Sequence, residues 1–215
     1  MELRCSAFLF DLDGVLVDSR AVVERTWRRW ALRHQLDPEQ LLRIAHGRRA
    51  RDTLLAVVPH LATDQEVAWL DDTELADDEG LRAVPGAAQF LASLALDRWA
   101  IVTSCGRALA ERRLGFAGWP MPRIAVTAED VSRGKPAPDG YLVGAKRLGV
   151  DPAACVVFED APPGIAAAQG AGARVIALST THPEADLTGA NAIIPDFTSL
   201  RVRRDTDAYV LSVLD

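Results

Sequence analysis

The chain has 215 residues, of which 49% are hydrophobic and 25% charged, with a formal net charge of −6 at neutral pH. This composition suits a globular protein with one sizeable core and a modest second unit, and the acidic balance excludes a general nucleic-acid binder. The longest apolar runs, such as Val150 to Phe158, fall far short of a membrane span, so no membrane association is expected.

In chain order, the opening Met-Glu-Leu-Arg-Cys has no secretory pattern and leads into a short apolar run, Ala7 to Phe10, which ends abruptly in Asp-Leu-Asp-Gly. This reads as a buried strand opening into a polar loop. From about Ser19 to Arg82 no convincing strand follows. Helical patterns occupy Val22–Leu32, Gln40–Ala45, Asp52–Val57 and Glu66–Ala76, and Trp27, Trp30 and Trp69 stand where they pack between helices. Pro85-Gly86 then punctuates the chain. Beyond it, strand-like runs at Trp99–Thr103, Ile124–Thr127, Cys155–Phe158 and Val175–Leu178 alternate with helical stretches at Ala87–Leu96, Ala108–Leu114, Gly140–Leu148 and Gly164–Gly170.

That alternation predicts an α/β fold: a doubly wound, parallel, Rossmann-like sheet flanked by helices, interrupted by an inserted all-helical cap domain. The expected division is a catalytic core of residues 1–17 and 83–215 and a cap of residues 18–82. The tail beyond about Val202 carries no recognisable signal. The three cysteines (Cys5, Cys105, Cys155) lack metal-ligand spacing and are odd in number, which suggests reduced thiols and a cytoplasmic location.

Parallel strand ends converge on one edge, where ligands gather. Asp11 and Asp13 follow the first strand, Thr103 and Ser104 the second, Lys135 comes a short loop after the third, and Glu159 and Asp160 follow the fourth. Two sets of carboxylates suit a hard divalent cation such as Mg²⁺. A hydroxyl pair and an ammonium supply donors for phosphate oxygens. One aspartate can attack phosphorus while another handles the proton of the leaving oxygen. Each piece alone is weak, since Asp-x-Asp is common in turns and Thr-Ser or Glu-Asp-x-Pro-Pro can simply cap a helix. Lysine usage adds weight. Of 24 basic residues only Lys135 and Lys146 are lysines, so Lys135 in its Gly-Lys-Pro loop answers a need for a compact ammonium.

Phe-Asp-Leu-Asp-Gly-Val at 10–15, Thr103-Ser104, Lys135 and Glu159-Asp160 resemble the four motifs of the haloacid dehalogenase-like hydrolase superfamily. Within it, the segments around Trp99–Ser104, Val126–Leu142 and Val156–Ala167 look like the branch of glycerol-3-phosphate and 2-deoxyglucose-6-phosphate phosphatases. The resemblance implies Asp11 as nucleophile and Asp13 as general acid/base. It also implies Mg²⁺ held by Asp11, the carbonyl of Asp13 and Asp160, with Glu159 in support. The phosphoryl oxygens would be held by Thr103, the Ser104 amide and Lys135.

His46-Gly47-Arg48-Arg49 resembles a His-Gly-x-Arg segment in the cap of that branch, so Arg49, with His46 and Gly47, is expected to face the substrate. The expected partner is a small sugar or polyol phosphate and the expected state a monomer. Cys105 stands where the pattern has glycine. A sugar phosphomutase on the same scaffold would carry a histidine near Val23 and an arginine near Ala50, which this chain lacks. A dehalogenase would not need Asp13 and Asp160, and a receiver-like module that accepts phosphate without turnover would not need a cap. The acidic stretch Asp71, Asp72, Glu74, Asp77, Asp78, Glu79 reads as a solvated helix face, and His34, His60 and His182 as surface or packing residues.

Overall fold

The computed structural model describes residues 1–214, so Asp215, with which the expected core segment ends, lies outside the described residues. At its centre is a parallel sheet built from β2 (Ala7–Phe10), β5 (Trp99–Val102), β6 (Ala125–Val126), β7 (Cys155–Glu159), β8 (Arg174–Leu178) and β9 (Ala192–Ile194), in the order β6-β5-β2-β7-β8-β9. Every residue of β2, β5 and β7 is buried. These strands are covered on both faces, which is why they read as unbroken apolar runs.

The period of two sorts their side chains into two cores. Phe8, Phe10, Ile101, Phe158 and Ile176 meet α5 (Ala87–Ala92) and α6 (Arg107–Phe116) on one face. Ala7, Leu9, Ala100, Val102, Val157 and Val175 meet α7 (Asp139–Leu148) and α8 (Pro162–Gly170) on the other. The fold is therefore α/β and doubly wound. Pro162 and Pro163 open α8, where their missing N–H groups leave no intrahelical bond unmade.

Between β3 (Val17–Asp18) and β4 (Arg82–Ala83), which pair antiparallel, the chain forms four helices: α1 (Arg20–Arg33), α2 (Pro38–Ala45), α3 (Ala50–Val57) and α4 (Asp64–Leu75). They enclose a core of their own around Trp27, Trp30, Leu41, Leu54 and Leu70. Trp30 Nε1 donates to Glu66 Oε2 at 2.7 Å, and His34 Nε2 lies 3.0 Å from the same oxygen. Trp69 is half-buried, with the Arg33 guanidinium 5.3 Å above its ring. Among the described residues no helix is long and apolar enough to cross a membrane.

The short strands β3, β4 and β9 add to the elements read from the sequence, and two longer segments depart from that reading. The helix expected to reach Leu96 ends at Ala92, where Ser93 and Leu94 turn back in i→i+3 bonds to Phe90 and Leu91. The tail, which carries no signal, forms β10 (Leu200–Asp205) and β11 (Ala208–Val213). With β1 (Glu2–Cys5) these make an antiparallel sheet in the order β1-β11-β10. Tyr209 from this sheet packs edge-on against Phe8 at 5.2 Å, and its hydroxyl accepts from the Ala95 amide at 2.9 Å.

Candidate active site

Strands β2 and β7 are neighbours, with Phe10 opposite Phe158 in register, so Asp11 and the pair Glu159-Asp160 emerge side by side. Asp11 extends the pairing by one bond, its amide donating to Phe158 O at 3.0 Å, before the chain turns. The turn requires glycine. Gly14 has φ +76°, and a Cβ there would lie 2.0 Å from Asp160 Oδ2.

Lys135, from the loop before α7, places its ammonium between two carboxylates, 2.7 Å from Asp11 Oδ1 and 2.6 Å from Glu159 Oε1. The Tyr141 ring lies 5.2 Å from that ammonium, and its hydroxyl donates to Glu159 Oε1. The Asp160 amide donates to Glu159 Oε2 at 3.1 Å. Both oxygens of Glu159 are thus engaged, one with Lys135 and Tyr141 and the other with the Asp160 amide. Asp160 is different. Thr181 donates its hydroxyl to Oδ2, while Oδ1 is buried with no partner among the described residues.

Asp11, Glu159 and Asp160 bring carboxylate oxygens within 4.8 Å of one another. Asp11 and Asp160 are 3% and 2% exposed. Burial, opposed by Lys135 and reinforced by Glu159, pushes Asp11 up to about 7. Burial and the neighbouring Glu159 and Asp11 push Asp160 far above the usual carboxylate range. Burial opposes the charge on Lys135, but the Asp11 and Glu159 carboxylates outweigh it and hold the ammonium charged. One ammonium does not balance three carboxylates. The all-oxygen donor set and the orphaned Asp160 Oδ1 fit a hard divalent cation; among the described residues Asp11 and Asp160 each keep one oxygen without a hydrogen-bond partner, whereas both oxygens of Glu159 are engaged.

The second strand end contributes Thr103 and Ser104. Thr103 Oγ1 accepts from the Cys105 amide at 3.2 Å, and Ser104 Oγ donates to Gly47 O in the helical unit at 3.0 Å. Cys105 borders the same cavity, where burial pushes its thiol well above the ordinary value. Asp13 Oδ1 accepts from Arg113 Nε at 3.0 Å.

The cavity above Asp11, about 80 Å³ in volume, is closed by the helical unit. His46 and Gly47 line it. Arg49 does not. It caps α3, pairs across the first turn with Asp52 at 2.6 Å, and donates to the carbonyls of Val131 and Ser132, both at 3.3 Å. A Cβ at Gly134 would lie 2.5 Å from its Nε. Arg48 stands in the cavity instead, with its Nε buried and unpartnered among the described residues.

Other groups also escaped sequence reasoning. Asp71 and Glu74, read as part of a solvated face, turn into the cavity. Burial pushes them up to about 6 and about 8 respectively, with Arg113 opposing the shift on Glu74. His182 lies 5.9 Å from His46, ring to ring, with Nδ1 3.1 Å from Asp160 O. Burial and His182 together lower His46 to about 4, leaving it neutral at physiological pH. Tyr141 and Arg113 sit inside predicted helices, where only their position on the buried face distinguishes them. Arg113 shares that face with Leu109, Ala110 and Leu114, and a charge on an apolar stripe was the signal available.

Carboxylates at adjacent strand ends and a buried lysine thus meet beneath the four-helix unit. A family model of haloacid dehalogenase-like hydrolases matches residues 5–172, and the chain belongs to that family. It is 41% identical over 214 residues to hexitol phosphatase A of Escherichia coli (strain K12), covering 97% of this chain and 99% of that one. It is 34% identical to glycerol-1-phosphate phosphohydrolase 2 of Saccharomyces cerevisiae, covering 94% of this chain and 86% of the relative. A solved hydrolase from Pseudomonas syringae superimposes with a TM-score of 0.79 at 28% identity, over 89% of this chain and 94% of that chain.

Proposed function

We propose that this protein is a Mg²⁺-dependent phosphatase that hydrolyses a small sugar or polyol phosphate monoester through an aspartyl-phosphate on Asp11. One observation carries this reading. Asp11 stands at the end of a central strand, fixed by Lys135 at 2.7 Å, beside an Asp160 oxygen that is buried and has no partner among the described residues.

In the first half-reaction a carboxylate oxygen of Asp11 attacks phosphorus, and the bond from phosphorus to the alcohol oxygen breaks. Asp13 gives its proton to that oxygen. In the second half Asp13 takes a proton from water as the water attacks phosphorus, and the bond to Asp11 breaks, releasing inorganic phosphate. The Thr103 hydroxyl, the Ser104 amide and Lys135 bind the phosphoryl oxygens. Mg²⁺ would be held by Asp11, Asp160 and the carbonyl of Asp13, where it supplies positive charge against the transferring group. Glu159, its oxygens committed to Lys135, Tyr141 and the Asp160 amide, keeps the lysine aimed.

Residues 18–82 act as the cap that excludes water and selects the leaving group. His46, Gly47 and Arg48 face the substrate, and Arg49 anchors the cap to the Lys135 loop through Val131 and Ser132. The carboxylate of Asp71 accepts from hydroxyls and repels anions, which favours a neutral polyol or sugar. The free cysteines agree with a cytoplasmic enzyme, and a capped single core works as a monomer.

The test is phosphate release from a panel of hexitol, hexose and glycerol phosphates with Mg²⁺ and with chelator. Release that chelator stops, and that falls about 10⁴-fold or more in Asp11→Asn, is the expected result. Substantial turnover in a clean Asp11→Asn preparation would refute the mechanism.

A further inference from the structure

The guanidinium of Arg113 is fully buried and forks between two units of the molecule. Its Nε donates to Asp13 Oδ1 at 3.0 Å, and its Nη2 donates to Glu74 Oε2 at 2.8 Å. Asp13 belongs to the core, Glu74 to α4 of the helical unit, and both border the cavity. Stability alone does not explain this. A buried charge flanked by carboxylates commonly gains nothing over an apolar side chain of similar volume. Nη1 is also left buried without a partner among the described residues, a penalty that a purely architectural contact avoids. If α6 only needed to grip the helical unit, the preceding residue already does so, because Arg112 pairs at the surface with Asp78 in the turn that follows α4.

We propose that Arg113 is the positioning residue of the proton-transfer step: it aims the Asp13 carboxyl into the cavity and is itself held in aim by Glu74 from the helical unit. The proposal rests on the acid/base reading of Asp13. In the first half-reaction the Asp13 proton passes to the departing alcohol oxygen and leaves a carboxylate behind. The guanidinium stabilises that charge as it forms, with a donor already in place. Because the other arm of the fork is gripped by Glu74, Asp13 is fully aimed only while the helical unit sits over the cavity. Proton donation is thereby tied to enclosure of the substrate.

The test uses the leaving group. Alcohol release in a single turnover is followed for glycerol phosphate, whose alkoxide needs the proton, and for p-nitrophenyl phosphate, whose phenolate leaves without it. Arg113→Lys keeps the charge but cannot fork. It is expected to slow glycerol release about tenfold or more while changing p-nitrophenolate release less than about threefold. Glu74→Gln, which keeps the volume and preserves the Arg113–Asp13 bond, is expected to show the same selectivity at smaller size, and it decides the matter if Arg113→Lys does not fold. Arg112→Ala is the control and is expected to leave both rates unchanged.

Equal slowing of the two substrates, or no slowing, in the folded variants would overturn the proposal. Asp13→Asn separates the two ideas. If it shows the selectivity and Arg113→Lys does not, the positioning role fails alone. If Asp13→Asn is itself unselective, the acid/base reading fails, and the proposal with it.

Discussion

Lys135 shows how much chemistry one side chain carries in an arginine-rich chain. Its ammonium fills the space between Asp11 and Glu159 with the Tyr141 ring behind it. A guanidinium is planar and wider, and it would displace one carboxylate or the other. Lys135→Arg is therefore expected to lose about 100-fold or more in phosphate release despite unchanged charge, and a fully active variant would refute the steric account. Gly14→Ala is the complementary case. Its Cβ would collide with Asp160 Oδ2 on a backbone of positive φ, so Mg²⁺ binding measured by calorimetric titration is expected to weaken at least about tenfold. Unchanged binding would remove Asp160 from the cation site. Residues at strand ends were legible in the sequence because an apolar run stopped at a charged or hydroxyl residue. Tyr141, Arg113 and Thr181 were not, since they lie in a helix or a loop whose local pattern does not reveal which way it faces. Arg48 and Arg49 are adjacent in sequence, and which of them enters the cavity depends on the first turn of α3 and its Asp52 partner.

The same logic separates legible from illegible elements. Strands β2, β5 and β7 are buried on both faces and announce themselves as apolar runs. Strands β1 and β10 are covered on one face only, with burial alternating along Glu2–Cys5 and arginines at 201, 203 and 204 standing among Leu200 and Val202. Their two-residue period is short and looks like a polar tail. Yet this sheet closes the core on the α5 face. Tyr209→Ala is expected to destabilise the protein by about 3–4 kcal/mol, from loss of the ring against Phe8 and of the acceptor for the part-buried Ala95 amide. Urea denaturation measures this, and a change below about 0.5 kcal/mol would make the tail dispensable. The acidic run at 71–79 misled for a related reason. Asp77 and Asp78 do face outward to Arg25 and Arg112, but a helix shows every third or fourth residue to the same side, and Asp71 and Glu74 share the inward one.

Across the whole molecule these buried carboxyls make stability depend on pH and on metal together. Burial raises Asp11 from 3.8 to about 7 and Glu74 from 4.5 to about 8. The folded protein therefore binds more protons at these sites than the unfolded chain, and stability falls as pH rises through that window. His46 works in the opposite direction lower down. Lowered from 6.5 to about 4 by burial and His182, it makes the folded protein bind fewer protons, so stability rises with pH only up to about 6.5. Between about pH 6.5 and 8 the buried carboxyls act alone, and without metal the melting temperature is expected to decline steadily across that interval. A divalent cation favours the ionised form of Asp11 and Asp160, so Mg²⁺ should stabilise more at pH 8 than at pH 6.5. At a concentration 100-fold above its dissociation constant the gain is about 2.7 kcal/mol. Glu74→Gln should flatten the decline in both conditions, because its carboxyl lies outside the cation site. Thermal melting in chelator and in Mg²⁺ at the two pH values reads all of this at once. A metal-free melting temperature that rises from pH 6.5 to 8 would mean that the acidic cluster is already neutralised within the fold, and the cation would lose its electrostatic reason to bind.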